Sequence, residues 1–250
     1  MRLLGSHSIS SAGQRFVRLL RGLGLVQTLA LVLGSLDDKY LRLFDRRYHV
    51  RTSGFILLNQ TSFDPSRLRD ATQYGPVNGW GFRRMLRRVG LSRELRFVDL
   101  GCGLGRPCVL AAEYGFAHVT GVELAAEFCA VARANAERCR PPGGRHSDIT
   151  ILQSDVCDYC ETSDDDVFFM FRPFSEDFLK IVLHKLSARA AARGKILTVI
   201  YSERALVSQN YAETIAAHPA FRRREDATYF GQSFYVFECR PMTASHDPAA

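Results

Sequence analysis

The sequence lacks the features of a secreted or membrane-spanning protein. Its apolar stretch at residues 23–33 is interrupted by glycine, glutamine and threonine, and it is too short to cross a bilayer. Its seven cysteines are an odd number without the spacing of a disulfide-rich domain. The cysteine content therefore favours a reducing compartment, and we expect the protein to be cytoplasmic.

Acidic residues are absent from residues 1–36, which contain several arginines. This composition is typical of a targeting peptide, or of an amphipathic helix that makes peripheral contact with an anionic membrane. A third interpretation, which we prefer, is a helical extension that packs on the following domain. The sequence does not indicate an oligomeric state.

A second pair of closely spaced cysteines is also missing. Cys157 and Cys160 form a single C-x-x-C pair, and His146 is the one local residue that could join them as a ligand. Because a structural zinc site normally has four protein ligands, we expect no metal site.

The composition predicts a folded protein. A chain of 250 residues, 46% hydrophobic and 24% charged, suits one large α/β domain with an N-terminal extension. The net charge is +7, and arginines cluster at residues 83–88 and 222–224. Such clusters are compatible with a nucleic-acid partner, but solvated helix and loop faces explain them better. A nucleic-acid partner is therefore not favoured.

Residues 97–123 combine a strand, a glycine-rich turn and a helix. The apolar strand contains Asp99 and leads directly into the turn. The turn contains Gly101, Gly103 and Gly105. Glycine permits a tight turn and lets a ligand approach the backbone closely. This pattern predicts a ligand-binding turn at the end of the first strand.

A second apolar strand, residues 119–123, ends in the carboxylate of Glu123. A carboxylate at this point of a β–α–β unit is placed to accept hydrogen bonds from ribose hydroxyls. Arg106 occupies the third glycine position of a dinucleotide fingerprint, and Asp99 would repel a pyrophosphate but attract an ammonium group. A ligand that has an ammonium group and a ribose but no phosphate matches S-adenosylmethionine.

The sequence VDLGCGLGR at residues 98–106 resembles the first motif of the class I, seven-strand S-adenosylmethionine-dependent methyltransferases, and GVE at residues 121–123 resembles the second. The likeness covers about residues 70–240. It implies a doubly wound α/β fold, in which a seven-stranded, mostly parallel sheet has a reversed last strand, plus an N-terminal helical extension.

The same resemblance implies how the cofactor is held. Asp99 would hold the methionine moiety, Glu123 the ribose and Asp155 the adenine amino group. Asp155 would also suit the N-cap of a helix. The predicted cofactor-binding residues are Asp99, Gly101, Cys102, Gly103, Gly105, Glu123, Leu124, Asp155 and Val156.

A methyl-transfer site is predicted after the buried strand at residues 167–171. Arg172 begins a segment that stands where the family has a motif close to Asn-Pro-Phe, which holds an attacking amine. The arginine departs from that motif, since a guanidinium cannot accept a hydrogen bond. Tyr74 is similar to the first residue of the Y-x-P element that closes over the cofactor in seven-strand lysine methyltransferases. The predicted catalytic residues are Arg172, Pro173, Phe174 and Tyr74, and Tyr201 at the end of a later strand is a further candidate.

Residues 45–54, DRRYHVRTSG, resemble a segment that precedes the domain in bacterial members of undefined substrate, although glycine is common where this chain has His49. The segment could equally be a surface connector with a turn. We expect residues 1–70 to form the helical extension and connector, residues 71–240 the cofactor-binding domain, and residues 241–250 a disordered tail.

The predicted function is methyl transfer from S-adenosylmethionine to an undefined acceptor, either a protein amine or a small molecule. The Y-x-P element favours an amine, whereas Arg172 favours a small anion because a buried guanidinium can bind a carboxylate. The alternatives are a nucleic-acid methyltransferase that uses the arginine clusters and a non-catalytic protein that only binds the cofactor. Aminopropyl transfer is less favoured, because the chain lacks an evident acidic pocket for a polyamine.

Overall fold

The computed structural model describes residues 40–54, 75–139, 147–204, 211–229 and 231–241. The chain divides into two compact units, Met1–Leu43 and Phe44–Ala250. The first unit is described only at residues 40–43, which are helical. Everything below concerns the second unit.

Several predictions concern residues outside the described ranges. They include the N-terminal extension before residue 40, the side chain of Tyr74, the side chain of His146 and most of the C-terminal tail. These predictions, and the expected domain boundaries at residues 70 and 240, stay predictions.

Helices and strands alternate along most of the described chain. Residues 44–48 of the second unit are helical and are labelled α1. The later elements are α2 (Gly79–Val89), β1 (Arg96–Leu100), α3 (Arg106–Tyr114), β2 (His118–Glu123), α4 (Ala126–Arg138), β3 (Ile149–Gln153), α5 (Val156–Thr162), β4 (Val167–Phe171), α6 (Glu176–Arg193), β5 (Leu197–Arg204), α7 (Tyr211–Ala217), β6 (Phe221–Tyr229) and β7 (Gln232–Cys239).

The seven strands form one sheet in the order β3-β2-β1-β4-β5-β7-β6. Strands β1 to β5 pair in parallel, and β7 pairs antiparallel with both β5 and β6. The predicted doubly wound sheet with a reversed last strand is confirmed. Strand order changes direction between β1 and β4, and in such sheets ligands bind beyond the carboxyl ends of the strands at this point.

Two hydrophobic cores lie on opposite faces of the sheet. Phe97 belongs to one core and its neighbour Val98 to the other, because successive side chains of a strand point to opposite faces. The first core contains Phe82 of α2, and the second contains Leu183 of α6. Burial on both faces explains why β4 is apolar throughout.

Helix ends follow local sequence signals. Asn78 caps α2, since its side-chain oxygen accepts a hydrogen bond from the Gly81 N–H at 2.9 Å, and Gly90 ends the helix in a left-handed conformation. Among the helices of the described ranges, none combines the length and the apolar character that a membrane span requires.

Candidate active site

The glycine turn after β1 is tied to β2 by its backbone. The N–H groups of Gly101 and Cys102 both donate to the carbonyl of Val122, at 2.9 and 3.0 Å. Gly101, Gly103 and Gly105 have φ angles of 76°, 53° and 82°, a region that favours glycine. The turn therefore has the conformation that its glycines predict, and it lies at the carboxyl ends of β1 and β2.

Glu123 lies at the tip of β2 and reaches back to this turn. Its Oε2 accepts a hydrogen bond from the Gly103 N–H at 2.9 Å. Its Oε1 accepts from the N–H groups of Leu124 and Ala125, at 2.8 and 2.9 Å. Burial raises the pKa of Glu123, and the three backbone donors oppose that rise. A carboxylate has about four lone-pair sites, so the arrangement leaves acceptor capacity for hydroxyl donors.

Asp99 is only 1% exposed at the end of β1. Burial raises its pKa well above the usual range, and the charge of Glu123 raises it further. The Cys108 thiol lies 3.9 Å from Asp99 Oδ2 and opposes the rise. A bound cation would stabilise the carboxylate form, so the two acidic groups fit a ligand that carries an ammonium.

Asp155 follows β3, and its position agrees with the helix-cap expectation. Its side chain accepts a hydrogen bond from the Cys157 N–H at 2.8 Å and caps α5. The preceding residue, Ser154, donates its N–H to the Glu123 carbonyl at 3.0 Å. Val156 is buried beside the cap. The structure thus brings Asp155 and Val156 to the same sheet edge as Glu123.

The predicted methyl-transfer residues lie against the glycine turn. A Cβ atom built on Gly101 would come within 2.7 Å of Pro173 Cβ. Arg172 has a φ of 37°, an unusual value for a residue with a side chain, and Phe174 packs on Phe178 with ring centroids 5.0 Å apart. The backbone after β4 therefore bends so that Pro173 covers the turn.

Most of the predicted site residues lie in a part of the chain that is similar to a known protein family. A family model described as a methyltransferase domain matches residues 97–194, from β1 to the end of α6. Residues 97–194 of the chain thus match a methyltransferase domain. The matched range includes every predicted site residue except Tyr74 and the further candidate Tyr201. A search of curated proteins finds no match.

Solved structures share the fold of this methyltransferase domain. The ribosomal protein L11 methylase from Lactobacillus delbrueckii subsp. bulgaricus is 16% identical with a TM-score of 0.51, over 67% of this chain and 81% of that one. The magnesium protoporphyrin IX methyltransferase from Synechocystis PCC 6803, which was solved with bound S-adenosylmethionine, is 17% identical with a TM-score of 0.50, over 67% of this chain and 86% of that one.

Three further residues lie beside Arg172 of the methyltransferase domain. The Arg172 guanidinium stacks over the Tyr211 ring at 4.8 Å. The Tyr201 hydroxyl lies 3.3 Å from Glu203 Oε2. Burial raises the pKa of Glu203, whereas the positive charge of Arg172 lowers it. The charge of Arg172 therefore acts on the buried carboxyl group of Glu203, on β5.

Sequence analysis named Tyr201 but missed Glu203 and Tyr211. The signal for Glu203 was its spacing of two from Tyr201, which places both side chains on the same face of one strand. No comparable signal pointed to Tyr211, because its place beside Arg172 depends on the packing of α7.

The cysteines of the described ranges are free thiols, and most are buried. Burial raises the pKa of Cys157 to about 11 and raises that of Cys160 further. Within those ranges, no group of His, Cys, Asp and Glu side chains has an arrangement suited to a metal ion.

Proposed function

We propose that this methyltransferase domain transfers a methyl group from S-adenosylmethionine to an acceptor bound beside Arg172. The observation that carries the proposal is the contact between Pro173 and Gly101. It places the segment after β4 against the turn that would hold the cofactor. A donor at the turn and an acceptor at Arg172 would therefore be neighbours.

The residues of the turn fit S-adenosylmethionine, which would supply a methyl group on a sulfonium. Glu123 is placed to accept from the ribose hydroxyls, and Asp99 would pair with the ammonium. Asp155 and Val156 would contact the adenine. The absence of a side chain at Gly103 would let the ligand approach the backbone of the turn.

The contribution of the acceptor site would be mainly positioning, because bringing the acceptor into line with the methyl group removes most of the entropic barrier. A proton acceptor is needed only when the nucleophile arrives protonated. Glu203, with its raised pKa, is a candidate for that role through Tyr201.

A small molecule with an anionic group is the acceptor that we favour. The Arg172 guanidinium can bind a carboxylate in a bidentate manner. The same positive charge would repel the ammonium of a lysine side chain at close range. This reasoning supports the small-molecule hypothesis over a protein amine.

A nucleic-acid acceptor has less support. Arg83 forms an ion pair with Glu113 at 2.6 Å, Arg223 pairs with Glu213 at 3.2 Å, and Arg88 pairs with Glu225. Arg224 pairs with Glu238 in the same way. Arginines that are already paired gain less from binding phosphate, since the ion pair must first be broken.

Calorimetric titration with S-adenosylmethionine and S-adenosylhomocysteine tests the proposal. We expect binding to the wild type that Glu123→Ala weakens by about 1–3 kcal/mol, the cost of removing one partner of buried hydrogen bonds. Glu94→Ala, which truncates an exposed glutamate, is the control and should bind as the wild type does. No binding to the folded wild type would contradict the proposal, and it would leave only a domain that has lost its chemistry.

A further inference from the structure

Residues 44–54, here called the upstream segment, fold around one carboxylate. Asp45 Oδ2 accepts hydrogen bonds from the N–H groups of Thr52 and Ser53, both at 2.8 Å, and from the Ser53 hydroxyl at 2.6 Å. Asp45 Oδ1 accepts from the Thr52 hydroxyl at 2.6 Å. The chain after helix α1 therefore folds back onto Asp45.

The upstream segment is joined to the glycine turn through Arg106. Arg106 is the first residue of α3, directly after Gly105, and its side chain is fully buried. Its Nε donates to Thr52 Oγ1 at 2.8 Å, and its Nη2 donates to Asp45 Oδ1 at 3.2 Å. The guanidinium also lies 4.4 Å from the centre of the Phe44 ring.

Thr52 is the central member of this network. Its hydroxyl donates to Asp45 and accepts from Arg106, so one oxygen connects the two charged groups. Thr52 has no exposed surface. The bonds of this buried network resist breaking, because each broken bond leaves a polar group without water.

Asn135 of α4 makes a second, independent connection. Its Nδ2 donates to the carbonyl of Leu104, within the glycine turn, at 2.9 Å. The same side chain bonds both the N–H and the carbonyl of Arg51, at 2.8 and 3.0 Å. The upstream segment is thus bonded to the turn at Leu104, through Asn135, and at Arg106.

We propose that the upstream segment is a positioning device for the cofactor site, with Thr52 and Asn135 as positioning residues that hold the glycine turn in its binding conformation. The turn contains three glycines with positive φ, and such a turn loses much conformational freedom when a ligand orders it. A turn that is already held binds more tightly, because less freedom is lost on binding. The inference rests on the proposed function, since it assumes that the turn binds the cofactor.

The test compares the affinity of full-length variants for S-adenosylhomocysteine by calorimetry. Thr52→Val keeps the shape of the side chain but removes the hydroxyl, and we expect affinity to fall about tenfold. Thr52→Ser keeps the hydroxyl and should restore affinity to within about threefold of the wild type.

Ser163→Ala is the matched control. The Ser163 hydroxyl is buried and bonds the Asp165 carboxylate at 2.6 Å, the length of the Thr52–Asp45 bond, but it lies at the amino-terminal end of β4. Ser163→Ala should lower the melting temperature as Thr52→Val does and leave cofactor affinity unchanged. Equal affinity of Thr52→Val and the wild type would overturn the inference while the proposed function stands.

Asn135→Asp is the second variant. It tests the same proposal if Thr52→Val does not fold. It keeps the acceptor for the Arg51 N–H and removes the donor to the Leu104 carbonyl. We expect weaker cofactor binding and faster amide hydrogen exchange in the glycine turn. Unchanged affinity would contradict the proposal. If the wild type itself does not bind S-adenosylhomocysteine, the proposed function is contradicted instead.

Discussion

Pro173 occupies the space that a side chain on Gly101 would need, since a Cβ atom there would lie 2.7 Å from Pro173 Cβ. Gly101 belongs to the predicted cofactor turn, and Pro173 follows the strand predicted to end at the acceptor. The contact means that the two halves of the proposed reaction site share a surface. We expect a substitution at either residue to displace the other.

Gly101→Ala is expected to reduce both stability and cofactor binding. Its φ of 76° costs an alanine about 1–2 kcal/mol, and the overlap with Pro173 adds to this cost. Gly90→Ala is the control, because Gly90 has a φ of 65° but open space around its Cβ position. Chemical denaturation should show that Gly90→Ala lowers the stability of the protein. Calorimetry should show that it leaves cofactor affinity unchanged. Equal behaviour of the two variants would contradict the role of the contact.

Cofactor affinity is expected to rise with pH in the acidic range. Burial and the charge of Glu123 hold the pKa of Asp99 well above its ordinary value of 3.8, so the empty site retains a proton there as pH rises. An ammonium favours the carboxylate, and binding therefore releases a proton. Calorimetry in buffers of different ionisation enthalpy measures this release, which Asp99→Asn should abolish. Proton uptake on binding would contradict the assignment.

The same shift affects the stability of the cofactor-free protein. Because the folded-state pKa of Asp99 lies above its unfolded-state value, its contribution to stability is fully present below pH 3.8 and is lost as pH rises through the folded pKa. Glu123, whose pKa burial also raises, acts in the same direction. Over this window Asp99→Asn should gain stability relative to the wild type as pH rises, as measured by thermal unfolding without cofactor. A constant difference between the two proteins would contradict this expectation.

His49→Gly is expected to stabilise the protein. His49 has a φ of 58° in the upstream segment, where a residue with a Cβ atom is strained. Glycine relieves that strain, but it also gives the unfolded chain more freedom. The net effect is an expected gain of about 0.5–1 kcal/mol in the free energy of unfolding. Thermal unfolding should show a small rise in Tm, and His49→Ala, which keeps the strain, should show none. A lower Tm for His49→Gly would mean that the histidine side chain contributes more than the strain costs.

Arg172→Met is expected to impair acceptor binding and to spare the cofactor. Methionine keeps an apolar contact with Tyr211 but cannot bind an anion. Once an acceptor is identified, its KM should rise about tenfold or more, the effect of a lost charge-assisted hydrogen bond, while the affinity for S-adenosylhomocysteine stays constant. Arg87→Met, on the exposed side of α2, is the control. Unchanged acceptor kinetics would exclude an anion-binding role for Arg172.

The sequence alone determined that the residues predicted to bind the cofactor lie together. Asp99, Gly101, Gly103, Gly105 and Glu123 lie within one β–α–β unit, and local rules for strands, turns and helices place them together. Parallel pairing of β1 and β2 then requires the turn and the Glu123 tip to lie at one edge. The seven-stranded, mostly parallel sheet with a reversed last strand also followed, by resemblance, from the motifs.

Tertiary structure decided everything that joins residues distant in the chain. The sequence left residues 45–54 open between a family segment and a connector, because Thr52 and Arg106 are separated by 54 positions and no local pattern relates them. Arg172 could be compared with a family motif, but only the pairing of β4 with β5 brings Glu203 within reach of its charge. Local periodicity reports which face of an element is buried, whereas the identity of the partner depends on how whole elements pack.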